Sequence, residues 1–337
     1  NVAIPVRKLN RVGMYNRLPL INKGIQYFLR YDDYLLNFKK AISDCDILHA
    51  PEPMYPFSYQ SAISGKPSVF TCAETIPFNK QRHHAKFTKV IFQKAKHFTP
   101  LTELAKKVLL IEDVEEERIT VIPFGVDTEV FSPKKKDEDL FDKYKLDRNG
   151  KFVLYISRLD WSKGILDLIY AIKNIIKNDR KDDRKVYLLI AGTGALKNNI
   201  IELCRKLNIE KNVIFLGQNK YLDTVKWYNL CDIVVMPSLI EKYWNEQFGM
   251  ILIETMSCEK PLITTYSSII PEVVENKALL FSPANFIELE EKLRILLEDE
   301  DLRKKMGKDG RKFVIEKYEA NKIAKRLSIL YKKILNN

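Results

Sequence analysis

From about residue 45 the apolar positions fall into short blocks separated by stretches of helical spacing. Asp46-Ile47-Leu48-His49-Ala50 and Pro67-Ser68-Val69-Phe70-Thr71 predict buried strands, the second entered through Gly65. Residues 80–96 put Phe87, Val90, Ile91 and Ala95 on one face, which predicts an amphipathic helix. A short strand over 97–101 follows, and then a helix from an N-cap at Thr102 to about Leu110. Ile119-Thr120-Val121-Ile122 predicts the last strand of this block. After Pro133 the charged stretch 134–139 is the best linker candidate. The alternation then restarts, with strands predicted over 152–156, 186–191, 213–216, 233–237 and 261–264. Helices are predicted over 165–176, 198–207, 222–230 and 249–257, and the chain from Asn285 onward is mostly helical. Two such blocks predict an α/β protein with two doubly wound parallel sheets, which bind ligands at the carboxyl ends of their strands.

Composition narrows this picture. A chain of 337 residues exceeds one comfortable core, so two domains are expected. Hydrophobic residues at 46% and charged residues at 30% exclude a disordered chain. No uncharged apolar run reaches the roughly 18 residues of a membrane span. No charged-then-apolar leader opens the sequence, which begins with Asn1. Cys45, Cys72, Cys204, Cys231 and Cys258 are scattered, odd in number and never spaced C-x-x-C. They form neither a disulfide framework nor a zinc site, and read as reduced thiols in a cytoplasmic protein. The net charge of +12 is spread over both halves. It suits phosphorylated substrates, a membrane surface or nucleic acid. No zinc-finger spacing or aromatic-basic RNA-binding strand is present, so nucleic acid is not expected as a partner.

Two segments carry candidate chemistry. In Asn245-Glu246-Gln247-Phe248-Gly249-Met250-Ile251-Leu252-Ile253-Glu254 a Phe-Gly turn opens a helix, with glutamates eight residues apart on either side. Gly249 lets the backbone approach a ligand closely, and the free amides of the first turn, at Met250 and Ile251, can hold a phosphate or sugar hydroxyl. Glu254 can accept two hydrogen bonds from a ribose diol, and Glu246 can reach the sugar. A surface helix with two solvated glutamates would show the same spacing. The second segment, Ser157-Arg158-Leu159-Asp160-Trp161-Ser162-Lys163-Gly164, follows the first strand of the second block. Arg158, with its fork, and Lys163, as a point charge, could clamp a diphosphate there, or both could be solvated surface cations.

Taken together these segments resemble glycosyltransferase family 4, retaining enzymes of the GT-B fold. Asp46 to Ala50 looks like that family's acceptor-side strand. Val121-Ile122-Pro123-Phe124-Gly125-Val126-Asp127, with Phe131 and Pro133, is similar to its hinge. Arg158-Leu159 with Lys163-Gly164 is similar to its phosphate loop, Glu246 to Glu254 to its E-x7-E motif, and Pro271-Glu272-Val273-Val274 to the step after it. The resemblance covers roughly residues 45–335. It implies two Rossmann-like domains facing a cleft: an acceptor-side domain over 1–135, joined by the returning C-terminal helix at about 320–337, and a donor domain over 145–319. It implies hexosyl transfer from a nucleotide-diphospho-sugar to a glycan or lipid-linked acceptor, with retained anomeric configuration. Arg158 and Lys163 would hold the phosphates, Glu254 the ribose, and Glu246 with the Phe248-Gly249 backbone the sugar. No cofactor and no metal is expected, since the donor is a substrate. A weakened nucleotide-sugar binder and a sugar-nucleotide epimerase on the same fold are the competing readings.

Departures from the family pattern mark specific places. The segment Thr71-Cys72-Ala73-Glu74 lacks the usual His, and Glu74 could stand in for it. Phe124 replaces the usual Asn before Gly125, and Ser267-Ser268 replaces a Gly-Gly pair. The opening strand with its Gly-rich loop is not recognisable, which predicts a missing N-terminal segment. Gly192-Thr193-Gly194 fails the dinucleotide pattern because Lys197 takes the third glycine position, and it reads as a tight turn beside the donor pocket. Asp44-Cys45-Asp46 reads as a solvated turn, His83-His84 as surface, and the three tryptophans as core or pocket rim. Lys80, Arg82, Lys86, Lys89, Lys94 and Lys96 share a segment with no acid. That basic face predicts peripheral contact with an anionic inner membrane leaflet, or is merely solvated.

Overall fold

The computed structural model describes residues 9, 34–78, 85–178 and 185–336. The opening of the chain, and Lys80, Arg82, His83 and His84 of the basic segment, lie outside the described residues. The chain divides into two compact units, Asn1–Ile122 with Lys325–Asn337, and Pro123–Ala324.

In the first unit, β1 (Leu48–Pro51), β2 (Ser68–Cys72) and β3 (His97–Pro100) form a parallel sheet in that order. α1 (Pro56–Ala62) starts on Pro56, whose missing N–H costs nothing in a first turn. α2 (Ala85–Lys94) and α3 (Glu103–Ile111) complete the strand–helix alternation. Thr102 caps α3, its hydroxyl accepting from the Ala105 amide at 3.1 Å. Phe70, Phe98, Ile91 and Leu109 form the centre of this core. The strand expected over 119–122 does not form; Ile119 makes a single parallel bridge to Phe98. The Thr120 and Ile122 amides donate to the Phe98 and Pro100 carbonyls, at 3.0 and 2.9 Å. Pro100 has no N–H to return the bond, so the ladder stops.

The second unit holds β4 (Lys151–Ile156), β5 (Val186–Ala191), β6 (Val213–Gly217), β7 (Ile233–Met236), β8 (Leu262–Thr265) and β9 (Leu279–Phe281). All pair in parallel, in the order β6-β5-β4-β7-β8-β9. The order reverses between β4 and β7, the switch point where such sheets bind ligands. Every residue of β5 is buried, as expected of a strand covered on both faces. The helices are α4 (Glu138–Tyr144), α5 (Ile165–Asn178), α6 (Lys197–Lys206), α7 (Thr224–Leu230), α8 (Met250–Ser257), α9 (Ile270–Val274), α10 (Phe286–Glu298) and α11 (Glu300–Lys317).

The charged stretch 134–139 is not a linker. Asp137 caps α4 and Glu138 and Asp139 occupy its first turn, where acids complement the helix dipole. The contact boundary falls earlier, after Ile122. Residues beyond it are stitched into the second unit: Phe131 is 1% exposed, and Arg311 donates to the Thr128 and Phe131 carbonyls. The final helix, α12 (Ala320–Asn336), contributes to both units, with Lys325 onward counted in the first. Its Tyr331 hydroxyl meets His49 of β1, and Arg326 donates to the Val121 carbonyl at 2.6 Å.

Candidate active site

The carboxyl ends of β4, β5 and β6 and the start of α8 enclose a hollow of about 380 Å³ in the second unit. Its walls include Arg158, Gly192, Thr193, Asn219, Tyr221 and Glu254, with Met250 and Ile251 from the helix start. Backbone forms part of this wall because glycine permits it. At Gly192, with φ +140°, a Cβ would lie 1.9 Å from the Ser157 carbonyl oxygen. At Gly164, with φ +63°, it would lie 1.8 Å from the Pro237 carbonyl oxygen, which locks the loop after β4 against the end of β7. Gly249 takes φ +76° as the N-cap of α8, and the Met250 and Ile251 amides that follow have no intrahelical acceptor.

Glu254 is the best-defined group of the hollow. Its side chain is 4% exposed, and two tyrosines hold it. The Tyr221 hydroxyl donates to Oε1 at 2.9 Å, and that of fully buried Tyr228 to Oε2 at 2.7 Å. Burial pushes the Glu254 carboxyl above its ordinary range, while the two tyrosine bonds pull the other way. Burial and the adjacent carboxylate push both tyrosine hydroxyls upward, so they stay protonated donors. Each carboxylate oxygen keeps a lone pair beyond the one its tyrosine uses. Neither tyrosine was singled out from sequence; the signal available was that a buried phenol needs a partner.

Lys163 and Glu246 are brought together, but as a pair with each other. Lys163 Nζ lies 2.8 Å from Glu246 Oε2, and both side chains are 12% exposed. Lys163 also stands over the Trp244 ring at 4.2 Å, and Ser238 donates to the same Glu246 oxygen at 3.1 Å. Asn245 Oδ1 is buried with no hydrogen-bond partner among the described residues. Arg158 is exposed and meets Asp160 at 3.3 Å. The Tyr155 hydroxyl holds the Arg158 carbonyl at 2.9 Å from beneath.

Phe248 does not face the hollow. It is buried, with its ring edge-on to Phe124 at 5.4 Å and to Tyr318 at 5.9 Å. The Phe124 departure is thus a packing partner. Glu74 belongs to the first unit, where its Oε1 accepts from the Thr75 and Ile76 amides, both at 2.9 Å. Ser268 adopts φ +46° at the position of the expected glycine pair. Among the described residues no group of three or more His, Cys, Asp or Glu is placed to hold a metal, and no helix is long and apolar enough to cross a membrane.

Comparison with known proteins adds to this geometry. The family model of the glycosyl transferases group 1 matches residues 136–313. The capsular polysaccharide biosynthesis glycosyltransferase CapM of Staphylococcus aureus is 30% identical over 244 residues, 69% of this chain and 60% of CapM. The N-acetyl-alpha-D-glucosaminyl L-malate synthase of Bacillus anthracis is 28% identical over 210 residues, 60% of this chain and 51% of that protein. The chain thus spans about half to three-fifths of the length of these relatives. HepE of Anabaena, solved with UDP and glucose, is similar with a TM-score of 0.76 at 19% identity, covering 88% of this chain and 80% of HepE. That likeness shows the fold, two parallel-sheet α/β domains of the GT-B type.

Proposed function

The chain belongs to the glycosyl transferases group 1 family, and we propose that it moves a hexosyl group from a nucleotide-diphospho-sugar to an acceptor. The observation that carries this reading is the Glu254 carboxylate, clamped by Tyr221 and Tyr228 in the wall of the hollow, with acceptor capacity left on each oxygen. Two neighbouring acceptor sites on one carboxylate match the two hydroxyls of a ribose. The diphosphate would then reach the unpaired first-turn amides of Met250 and Ile251 and the exposed guanidinium of Arg158. Cations and amides fixed at that point would oppose the negative charge that develops on the departing phosphate, and so speed the step itself. Lys163 joins them through Glu246, whose remaining oxygen can orient a sugar hydroxyl. Retention of anomeric configuration follows from the resemblance to family 4. UDP and glucose bound to HepE support a nucleotide sugar as donor. A glycan acceptor is supported by the place of CapM in capsular polysaccharide biosynthesis; a lipid-linked one rests on the resemblance to family 4.

The test is a melting-temperature screen of the full chain with UDP, GDP, ADP, CDP and their hexose derivatives, followed by assay of donor hydrolysis. At least one nucleoside diphosphate should stabilise the protein, and Glu254→Gln should remove that stabilisation. If none stabilises it and no nucleotide sugar is consumed, the reading fails.

A further inference from the structure

The last helix presents a face that sugar transfer does not use. No acid occurs between Ala320 and Asn336. Ile323, Leu330 and Ile334 are buried on its inner side. On the outer side Lys322, Lys325, Arg326, Ile329, Lys332 and Lys333 share one helical face, three or four residues from Ile329 or a further turn away, and all are exposed. Ile329, 60% exposed, sits in the middle of this stripe with cations on both flanks. None of the ion pairs among the described residues involves these cations. Lys322 and Arg326 donate to the Ile315 and Val121 carbonyls, which leaves Lys325, Lys332 and Lys333 with no side-chain hydrogen bond among the described residues.

We propose that this face of α12 docks the protein on an anionic lipid surface. No contact among the described residues accounts for holding the Lys325, Lys332 and Lys333 charges around an exposed isoleucine. An anionic leaflet rewards both features, since lysine stems let the charges stay at the headgroups while the isoleucine enters the acyl boundary. A nucleic-acid backbone would take the charges but offers the isoleucine nothing. The surface differs from the basic segment around Lys80–Lys96, and the inference does not depend on the sugar-transfer reading.

The test is co-sedimentation of the full chain with vesicles of equal parts phosphatidylglycerol and phosphatidylcholine. Wild-type protein should bind at low salt and be released by salt, and should not bind phosphatidylcholine alone. Each cation near the surface raises partitioning roughly fivefold, so Lys325→Gln with Lys332→Gln and Lys333→Gln should weaken binding about a hundredfold. Ile329→Ser alone should weaken it about tenfold. Lys305→Gln with Lys308→Gln and Lys312→Gln removes the same charge from exposed positions of α11 and should bind as wild type. Unchanged melting temperatures will show that the variants are folded. Failure of wild type to bind, or equal loss in the α11 variant, would overturn the proposal. So would binding to duplex DNA that is lost in the α12 variant when vesicles are not bound.

Discussion

Lys163 and Glu246 are each other's partner at 2.8 Å with little water access, which makes the pair a test of whether Lys163 serves structure, catalysis or both. Lys163→Met keeps the aliphatic stem against Trp244 and removes the charge. Glu246 is then left with the Ser238 hydroxyl as its remaining donor among the described residues, at 3.1 Å. Breaking a buried pair from one side costs about 3–5 kcal/mol, because the charge left behind is uncompensated. Both side chains are 12% exposed, so the low end, about 3 kcal/mol, is expected. Adding Glu246→Gln removes the stranded charge, and stability should return to within about 1 kcal/mol of wild type. Turnover should not return with it: losing a group that opposes charge in the transition state costs about a hundredfold or more. Trp161, Trp227 and Trp244 all lie in the second unit, so urea unfolding followed by tryptophan fluorescence reports on that unit alone. The reasoning is refuted if the single variant is as stable as wild type, or the double variant no more stable than the single. Recovery of turnover in the double variant would assign Lys163 a purely structural role.

Tyr228→Phe removes the donor to Glu254 Oε2 and should drive that carboxyl further upward. The acid limb of nucleoside diphosphate binding should move to higher pH, with affinity reduced by about 1.5–3 kcal/mol at neutral pH; calorimetry from pH 5 to 8 would show an unmoved limb if the idea is wrong. Gly192→Ala forces a Cβ onto the Ser157 carbonyl and should cost roughly 2–4 kcal/mol of stability in the second unit, read by urea midpoint. His97 is 8% exposed, and burial, then Lys333 and Arg118, lowers its pKa from 6.5 to about 4. Between those values the unfolded chain binds the proton and the folded one does not. Stability should therefore fall as pH drops through that window, by up to about 1.4 kcal/mol per unit. His97→Gln should lack this slope in urea unfolding followed by far-UV circular dichroism, and an equal slope in both proteins would sink the claim.

What could be read in advance follows from the range of the interactions involved. Strands of the second unit stood out because burial on both faces leaves continuous apolar runs such as Val186–Ala191. The turn at Gly249 and the loop after β4 stood out because close backbone approach demands glycine. The pairing of Lys163 with Glu246 spans 83 residues and exists because the reversed strand order makes β4 and β7 neighbours. No local pattern encodes that adjacency. The tyrosine clamp on Glu254 was hidden for the same reason, since tyrosines at helical spacing also fit a core. Phe248 shared a motif with residues that line the hollow yet turned toward Phe124 and Tyr318, because an aromatic ring beside two others gains more from packing than from solvent. The stretch 134–139 misled because charge marks a helix's first turn as well as a solvated connection. Pro100 was visible throughout; its effect on the strand at Ile119 depended on which neighbour β3 would have.

The crossing points of the chain carry one more consequence. Val126 bridges Glu319, with the Val126 amide on the Tyr318 carbonyl at 2.8 Å and the Ala320 amide on the Val126 carbonyl at 3.0 Å. At Gly125 a Cβ would lie 2.8 Å from the Ala320 Cα, so the two segments touch backbone to backbone. The stretch Pro123–Ala324 therefore begins and ends at nearly one place. A module whose entrance and exit are adjacent can be replaced by another with the same two ends. Recombination or grafting at this doorway would exchange the whole second unit, hollow included, while the residues on either side of it stay as they are.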